Sequence, residues 1–223
     1  MWLWLWLQQS QAEQTDSLAI HEWYLPNQTE REQGMEVYFA THYGSDVPKF
    51  LSPKMVVLHW TGVPSAESTW NTFASDTLGG RRDIRGAGSV NVSAHFLVDR
   101  DGTIHRLLPE DAFARHCIGF NHISIGVENV GGTKGQPLTK AQVDANVRLI
   151  QDLQSRHSID LVIGHHESVD FEEHPYFVER DPNYRSIKLD PGTDFMEAVR
   201  VGLTLEQESK LETLNEEDLR STD

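Results

Sequence analysis

The sequence predicts an α/β fold, a central mixed β-sheet flanked by helices. Three observations carry this. Apolar, β-branched runs, "MVVLHW", "SIGVENV" and "IDLVIG", alternate with segments of helical periodicity. Two alternating runs in "SAHFLVDRDGTIHRLL" flank Asp101-Gly102, a strong hairpin signal that demands one antiparallel pair. The length, 223 residues, suits one domain with extensions and closes a core without staples.

The compact part starts near Met55, where "MVVLHWTG" reads as a buried strand ending in a turn. Ser65 then serves as an N-cap, and Trp70, Phe73, Ala74 and Leu78 follow at helical spacing until Gly79-Gly80 stop the helix. After the hairpin, "SIGVENV" is a strand closed by Gly131-Gly132. Thr139 with Gln142 forms a capping box, and Val143, Val147, Ile150 and Leu153 give one apolar helical face. "IDLVIG" is the next strand, and "DPGTDFMEAVRVGL" a terminal helix.

The ends differ from this body. Residues 1–12, opening "MWLWLWL", hold too few apolar residues to span a bilayer, so no membrane span is expected. No basic residue precedes the run, yet Ser10-Gln11-Ala12 has the small-x-small form of a cleavage site. The segment reads either as a signal-peptide remnant or as an apolar arm. A remnant would put the protein in the periplasm or outside the cell; a true start at Met1 would allow the cytoplasm. Residues 13–50 are expected to be an extended arm wrapping a domain over 51–203. From Thr204 the chain carries seven acids against two bases, a solvated tail or frayed helix.

Net charge is -15, which argues against nucleic acid, whose phosphates need a basic face. The single cysteine, Cys117, allows no internal disulfide, and nothing beside it demands a nucleophile. Nothing in the sequence fixes an oligomeric state.

Eleven histidines are present, and isolated ones such as His21, His42 and His157 read as ordinary. The informative polar residues leave apolar runs at strand ends, where α/β sheets gather their sites. His59 ends "MVVLHW", Glu128 ends "SIGVEN", the pair His165 and His166 ends "LVIGHH", and "IKLDPG" brings Lys188 and Asp190. Two histidines and a carboxylate suit zinc, a further carboxylate can take a proton from water, and a lysine can stabilise an oxyanion. These residues also read as polar strand ends, and either His165 or His166 fits.

The order "HWTG … SAHFLVDRDGTIHRL … H(C)IG.N..SIGVEN … GHHE … KLDPG..F" resembles the zinc-dependent N-acetylmuramoyl-L-alanine amidases. Within them it is similar to the group of peptidoglycan recognition proteins and anhydromuropeptide amidases. The resemblance runs from about Met55 to Leu203 and implies a single domain of that type. It implies a zinc enzyme cleaving the amide between N-acetylmuramic acid and L-Ala of peptidoglycan or muropeptides. It assigns His59, His165 and Asp190 as ligands, Glu128 as general base and Lys188 as oxyanion stabiliser. His116 and Asn121 match a segment lining the substrate groove. Catalytically silent peptidoglycan-binding modules are the alternative; such relatives typically lose a ligand. A zinc peptidase is a third reading.

Three neighbourhoods keep two readings. His95 leans on the site or is structural. Arg81, Arg82 and Arg85 meet substrate carboxylates or water. The twenty residues 168–187, with His174, Pro175, Tyr176 and Phe177, exceed the short link of compact relatives and form either a lid or surface packing.

Overall fold

The computed structural model describes residues 18–205, apart from 27, 45–47, 49–50 and 82. Among the described residues six strands form one sheet: β1 (Ile20–Glu22), β2 (Met55–Trp60), β3 (Phe96–Val98), β4 (Ile104–Arg106), β5 (Ser124–Asn129) and β6 (Leu161–Gly164). Their order is β1-β4-β3-β5-β2-β6. Every neighbouring pair is parallel except β3 with β4, so the sheet is mixed, as the hairpin required. At the turn Gly102 has φ of 89° and donates its N–H to the Asp99 carbonyl. A Cβ there would lie 2.9 Å from the Ala141 carbonyl oxygen, so the position needs glycine twice over.

Among the described residues, α1 (Gln28–His42) packs on the loops beside this sheet, and α2 (Ala66–Ala74), α3 (Lys140–Arg156) and α4, over residues 193–205, pack on the sheet itself. Strand side chains alternate between faces. Val56, Leu58, Ile125 and Val127 meet Leu149, Ile150 and Leu153 of α3 and Met196 and Val199 of α4. Met55, Val57 and Ile163 point the other way, onto Cys117 and Phe120. The capping box at α3 forms as expected, Thr139 accepting from Gln142 N and the Gln142 side chain closing back.

Two expectations change. Ser65 caps α2, but the helix ends at Ala74, before Gly79-Gly80. Side chains from elsewhere take its last carbonyls: Asn91 Nδ2 donates to Thr72 O and Ser75 O, and Arg31 to Phe73 O. Ser75 Oγ then turns the chain by accepting from Thr77 N. The second change is the N-terminal region. It is no extended arm: β1 joins the sheet edge, and Met35, Tyr38 and Phe39 of α1, with Tyr43 just after it, are buried against Ile84, Val90 and Tyr184. Met35, Tyr38, Phe39 and His42 stand at i, i+3, i+4 and i+7, one helical face.

Segment 168–187 packs down. The Phe177 ring sits edge-on to Phe120, Val178 N donates to Gly119 O, and Tyr176 Oη donates to Asp160. The expectations for residues 1–12, and for the tail beyond 205, lie outside the described residues. Among the described residues, no helix is long and apolar enough to cross a membrane.

His95 is structural. It is fully buried, its Nε2–H donates to Ala112 O at 2.8 Å, and its Nδ1 accepts from Gly126 N at 3.0 Å. Burial pushes its pKa from the ordinary 6.5 down to about 4. Because the unfolded chain binds this proton first, the stability tied to neutral His95 is full above pH 6.5 and is lost as pH falls toward 4. The expected slope is about 1.4 kcal/mol per pH unit from this residue. Urea titrations at pH 6.5 and 5 should show it, and His95→Gln should flatten it by one proton's share.

Candidate metal centre

Strand register assembles the site. β2 pairs with β5 so that His59 lies opposite Glu128, and with β6 so that Val57 lies opposite Ile163. His165, two residues after Ile163, continues that row. One face of the sheet therefore carries His165, His59 and Glu128 side by side at the carboxyl ends of three adjacent strands. Asp190 arrives from the segment before α4. His166 holds it there, donating its backbone N–H to Asp190 O at 2.8 Å and placing its ring Nδ1 3.1 Å from the same oxygen.

The three donor atoms form a tight triangle. His59 Nδ1 and His165 Nδ1 are 2.9 Å apart, and Asp190 Oδ2 is 3.1 Å from each. Hydrogen-bond logic fixes one tautomer. His116 Nε2 faces two acceptors at 3.3 Å: the Ser124 carbonyl, and Ser124 Oγ, whose own hydrogen goes to Phe120 O. His116 Nε2 thus carries the proton and its Nδ1 accepts from His59 Nε2 at 3.1 Å. His59 Nδ1 is left with a lone pair aimed at an imidazole nitrogen and a carboxylate oxygen. Such a convergence of acceptors suits a cation. The circle through the triangle has a radius of about 1.8 Å, below the 2.0–2.2 Å of zinc–nitrogen and zinc–oxygen bonds, so one ion can touch all three donors from one side. His59, His165 and Asp190 fit a zinc ion.

The surrounding groups are tuned. Burial, reinforced by His59, pushes the His165 pKa down to about 4, and burial keeps His116 neutral as well. Burial opposes ionisation of Asp190, but the adjoining His165 and His59 rings override it and hold the carboxyl well below its usual range. Glu128 goes the other way. Burial pushes it up to about 7, neighbouring His59 only partly countering, and its Oε2 is buried without a hydrogen-bond partner among the described residues. Lys188 lines the same cleft, of about 450 Å³, with Nζ 3.6 Å from Asp83 Oδ2.

His116 and Asn121 line the same cleft, and their polar atoms are engaged within the protein. His116 stands behind His59 and orients its ring. Asn121 is 1% exposed; its Oδ1 accepts from His116 N and Cys117 N, and its Nδ2 donates to Tyr38 Oη. Arg81 grips Asp83 through two hydrogen bonds, Arg85 donates to Gly79 O, and Arg82 lies outside the described residues. Two asparagines that sequence reasoning missed steady the centre: Asn129 Nδ2 donates to His59 O, and Asn146 Nδ2 donates to Asn129 Oδ1. Gly126 is a third, for a Cβ there would fall 2.7 Å from His116 Cγ.

A family model described as N-acetylmuramoyl-L-alanine amidase matches residues 49–193. An endolysin of Klebsiella phage KP32 is 35% identical over 85 residues, which is 36% of this chain and 56% of that protein. An endolysin of Escherichia phage T7 is 36% identical over the same shares. The matched segment spans about half the length of these curated relatives. Among solved structures, the endolysin N-acetylmuramoyl-L-alanine amidase LysCS from Clostridium intestinale shares the fold, with a TM-score of 0.51 at 19% identity, covering 83% of this chain and 95% of that one. A selenomethionine derivative of AmpD gives a TM-score of 0.53 at 21% identity over 82% and 94%.

The Gly126 cradle makes a prediction. Gly126→Ala forces the His116 ring aside and should cost about 1–3 kcal/mol in urea unfolding. Gly135→Ala, where an added Cβ meets nothing within 4 Å, should change stability by less than about 0.5 kcal/mol.

Proposed function

The chain belongs to the N-acetylmuramoyl-L-alanine amidase family, and from that membership we propose that it is a zinc-dependent amidase. It cleaves the amide between the lactyl group of N-acetylmuramic acid and L-Ala, in peptidoglycan or muropeptides. The observation that carries this reading is the convergence of His59, His165 and Asp190 on one point, with Glu128 in the same row. With intact peptidoglycan as substrate the protein acts in the periplasm or outside the cell, and with recycled muropeptides the cytoplasm stays open to it.

In this reading His59 and His165, through Nδ1, and Asp190, through Oδ2, hold the ion. His165 is preferred to His166 because the His166 ring is taken up by the Asp190 carbonyl. Zinc, when bound, supplies Lewis acidity to a carbonyl oxygen and acidifies water. Glu128 accepts the proton as the water oxygen bonds to the lactyl carbonyl carbon. It then delivers that proton to the L-Ala nitrogen as the C–N bond breaks, leaving a free amine and a lactyl carboxylic acid, which loses its proton to solvent. A carboxyl near neutrality suits both steps, since it neither holds nor releases the proton too strongly. The Lys188 ammonium stabilises negative charge building on the carbonyl oxygen. No observation favours the catalytically silent binding module.

Two measurements test this. Metal analysis should find one zinc per wild-type chain, none in His165→Ala, and retained zinc in His166→Ala; loss only in His166→Ala would move the ligand by one residue. Glu128→Gln should keep zinc but lower turnover by about a hundredfold or more. Mass analysis of digested muropeptides should show free stem peptide beside intact glycan, whereas binding without release would overturn the amidase reading.

A further inference from the structure

Lys188 sits on a segment with little else to fix it. Among the described residues, no backbone hydrogen bond holds residues 186–189. Its neighbours do not anchor it either: Ile187 is 87% exposed and Leu189 75%. Yet the Lys188 side chain is only 18% exposed and turns into the cleft. Among the described residues, Asp83 is the carboxylate within ion-pair reach of Nζ, at 3.6 Å. Asp83 is itself held from the far side, accepting from Arg81 Nε at 3.0 Å and Arg81 Nη2 at 2.8 Å.

We propose that Asp83 is a positioning residue for Lys188. Held by Arg81, it pins the otherwise untethered 186–189 segment across the cleft and aims the ammonium inward. The inference rests on the amidase reading for its catalytic consequence, while the pinning itself stands on geometry alone. Asp83 is 46% exposed on its side chain, and exposed ion pairs add little to global stability, so its effect is local. A lysine on a loose segment spends most of its time away from a developing oxyanion, and a misplacement of about 1 Å costs rate steeply. The ammonium keeps further hydrogens free for substrate while Asp83 holds it.

The test compares Asp83→Asn, Asp83→Glu and Lys188→Ala, alone and combined, in the full chain. First, Lys188 is labelled with an amine-reactive reagent and followed by mass spectrometry. Asp83→Asn should speed labelling by about threefold or more, as a released side chain would, and Asp83→Glu should restore protection. Unchanged labelling overturns the proposal, whatever the enzyme's activity. Second, Asp83→Asn should lower kcat by about tenfold with KM within about twofold and zinc content unchanged. In the Lys188→Ala background the same substitution should change kcat by less than about twofold. Equal losses in both backgrounds would mean that Asp83 acts without Lys188, and would overturn the proposal. If the zinc-loaded wild type releases no stem peptide, the amidase reading fails, and labelling still decides the pinning.

Discussion

The centre depends on one constraint, the parallel register of β2 with its two neighbours. Side chains alternate along a strand, so a slip of one residue would turn His59 away from the cleft. The register is held because the opposite parity is held. Val56 and Leu58 on β2, with Ile125 and Val127 on β5, are buried against α3 and α4, and a slip would expose all four. Core packing on one face thus aims the chemistry on the other. His165 follows, because its row on β6 is fixed by Ile163 opposite Val57. Asp190 is the exception, arriving on a loop, and its two bonds to His166 replace what a strand would supply.

Behind the donors lies a continuous polar support. His59 is held by its ring through His116 to Ser124, and by its carbonyl through Asn129 to Asn146 on α3. Buried polar groups are destabilising when unpaired, so the imidazoles here are backed by partners, with Asn146 Oδ1 the one buried atom of this support left unpaired among the described residues. The wall beyond is paired through the ends of the Arg115 guanidinium, whose Nε has no partner among the described residues. Arg115 is buried, yet its guanidinium donates to the carbonyls of Ile84, Gly88 and Val90 and to Tyr184 Oη, and lies 4.8 Å from the Tyr38 ring centre. It joins α1, the loop before β3 and segment 168–187 into one wall, and the tie to Tyr184 favours packing over a lid for that segment.

What the sequence made legible follows from this division. Strands announced themselves by apolar runs, and polar residues at their ends stood out because a run had just stopped. That marked His59, Glu128 and the pair His165 and His166 without any structure, and the family resemblance chose His165. α1 was missed because its buried face mixes Tyr38 and His42 with Met35 and Phe39, so the periodicity is visible only if Tyr and His count as apolar. The supporting asparagines were illegible for another reason. Asn129 follows Glu128 directly and Asn146 sits mid-helix, and their partners are distant in sequence. The match of His116 and Asn121 to a groove-lining segment located them correctly along the chain, but could not say that their polar atoms turn inward to His59, Ser124 and Tyr38.

Two carboxyls bordering the cleft show how environment assigns roles. Glu128 is buried with one oxygen unpartnered and is pushed up to about 7; Asp83 is open to water, and hydrogen bonds from Arg81 draw it down to about 2. The same functional group is thereby made a proton carrier in one place and a permanent negative charge in the other. Exchanging the environments would defeat both. A paired Glu128 would be too weak a base to take a proton from water, and an unpartnered, buried Asp83 would spend part of its time neutral and let Lys188 go. The unpaired Glu128 oxygen is a local cost that the surrounding packing carries, and it leaves the carboxyl free to exchange a proton with whatever occupies the cleft.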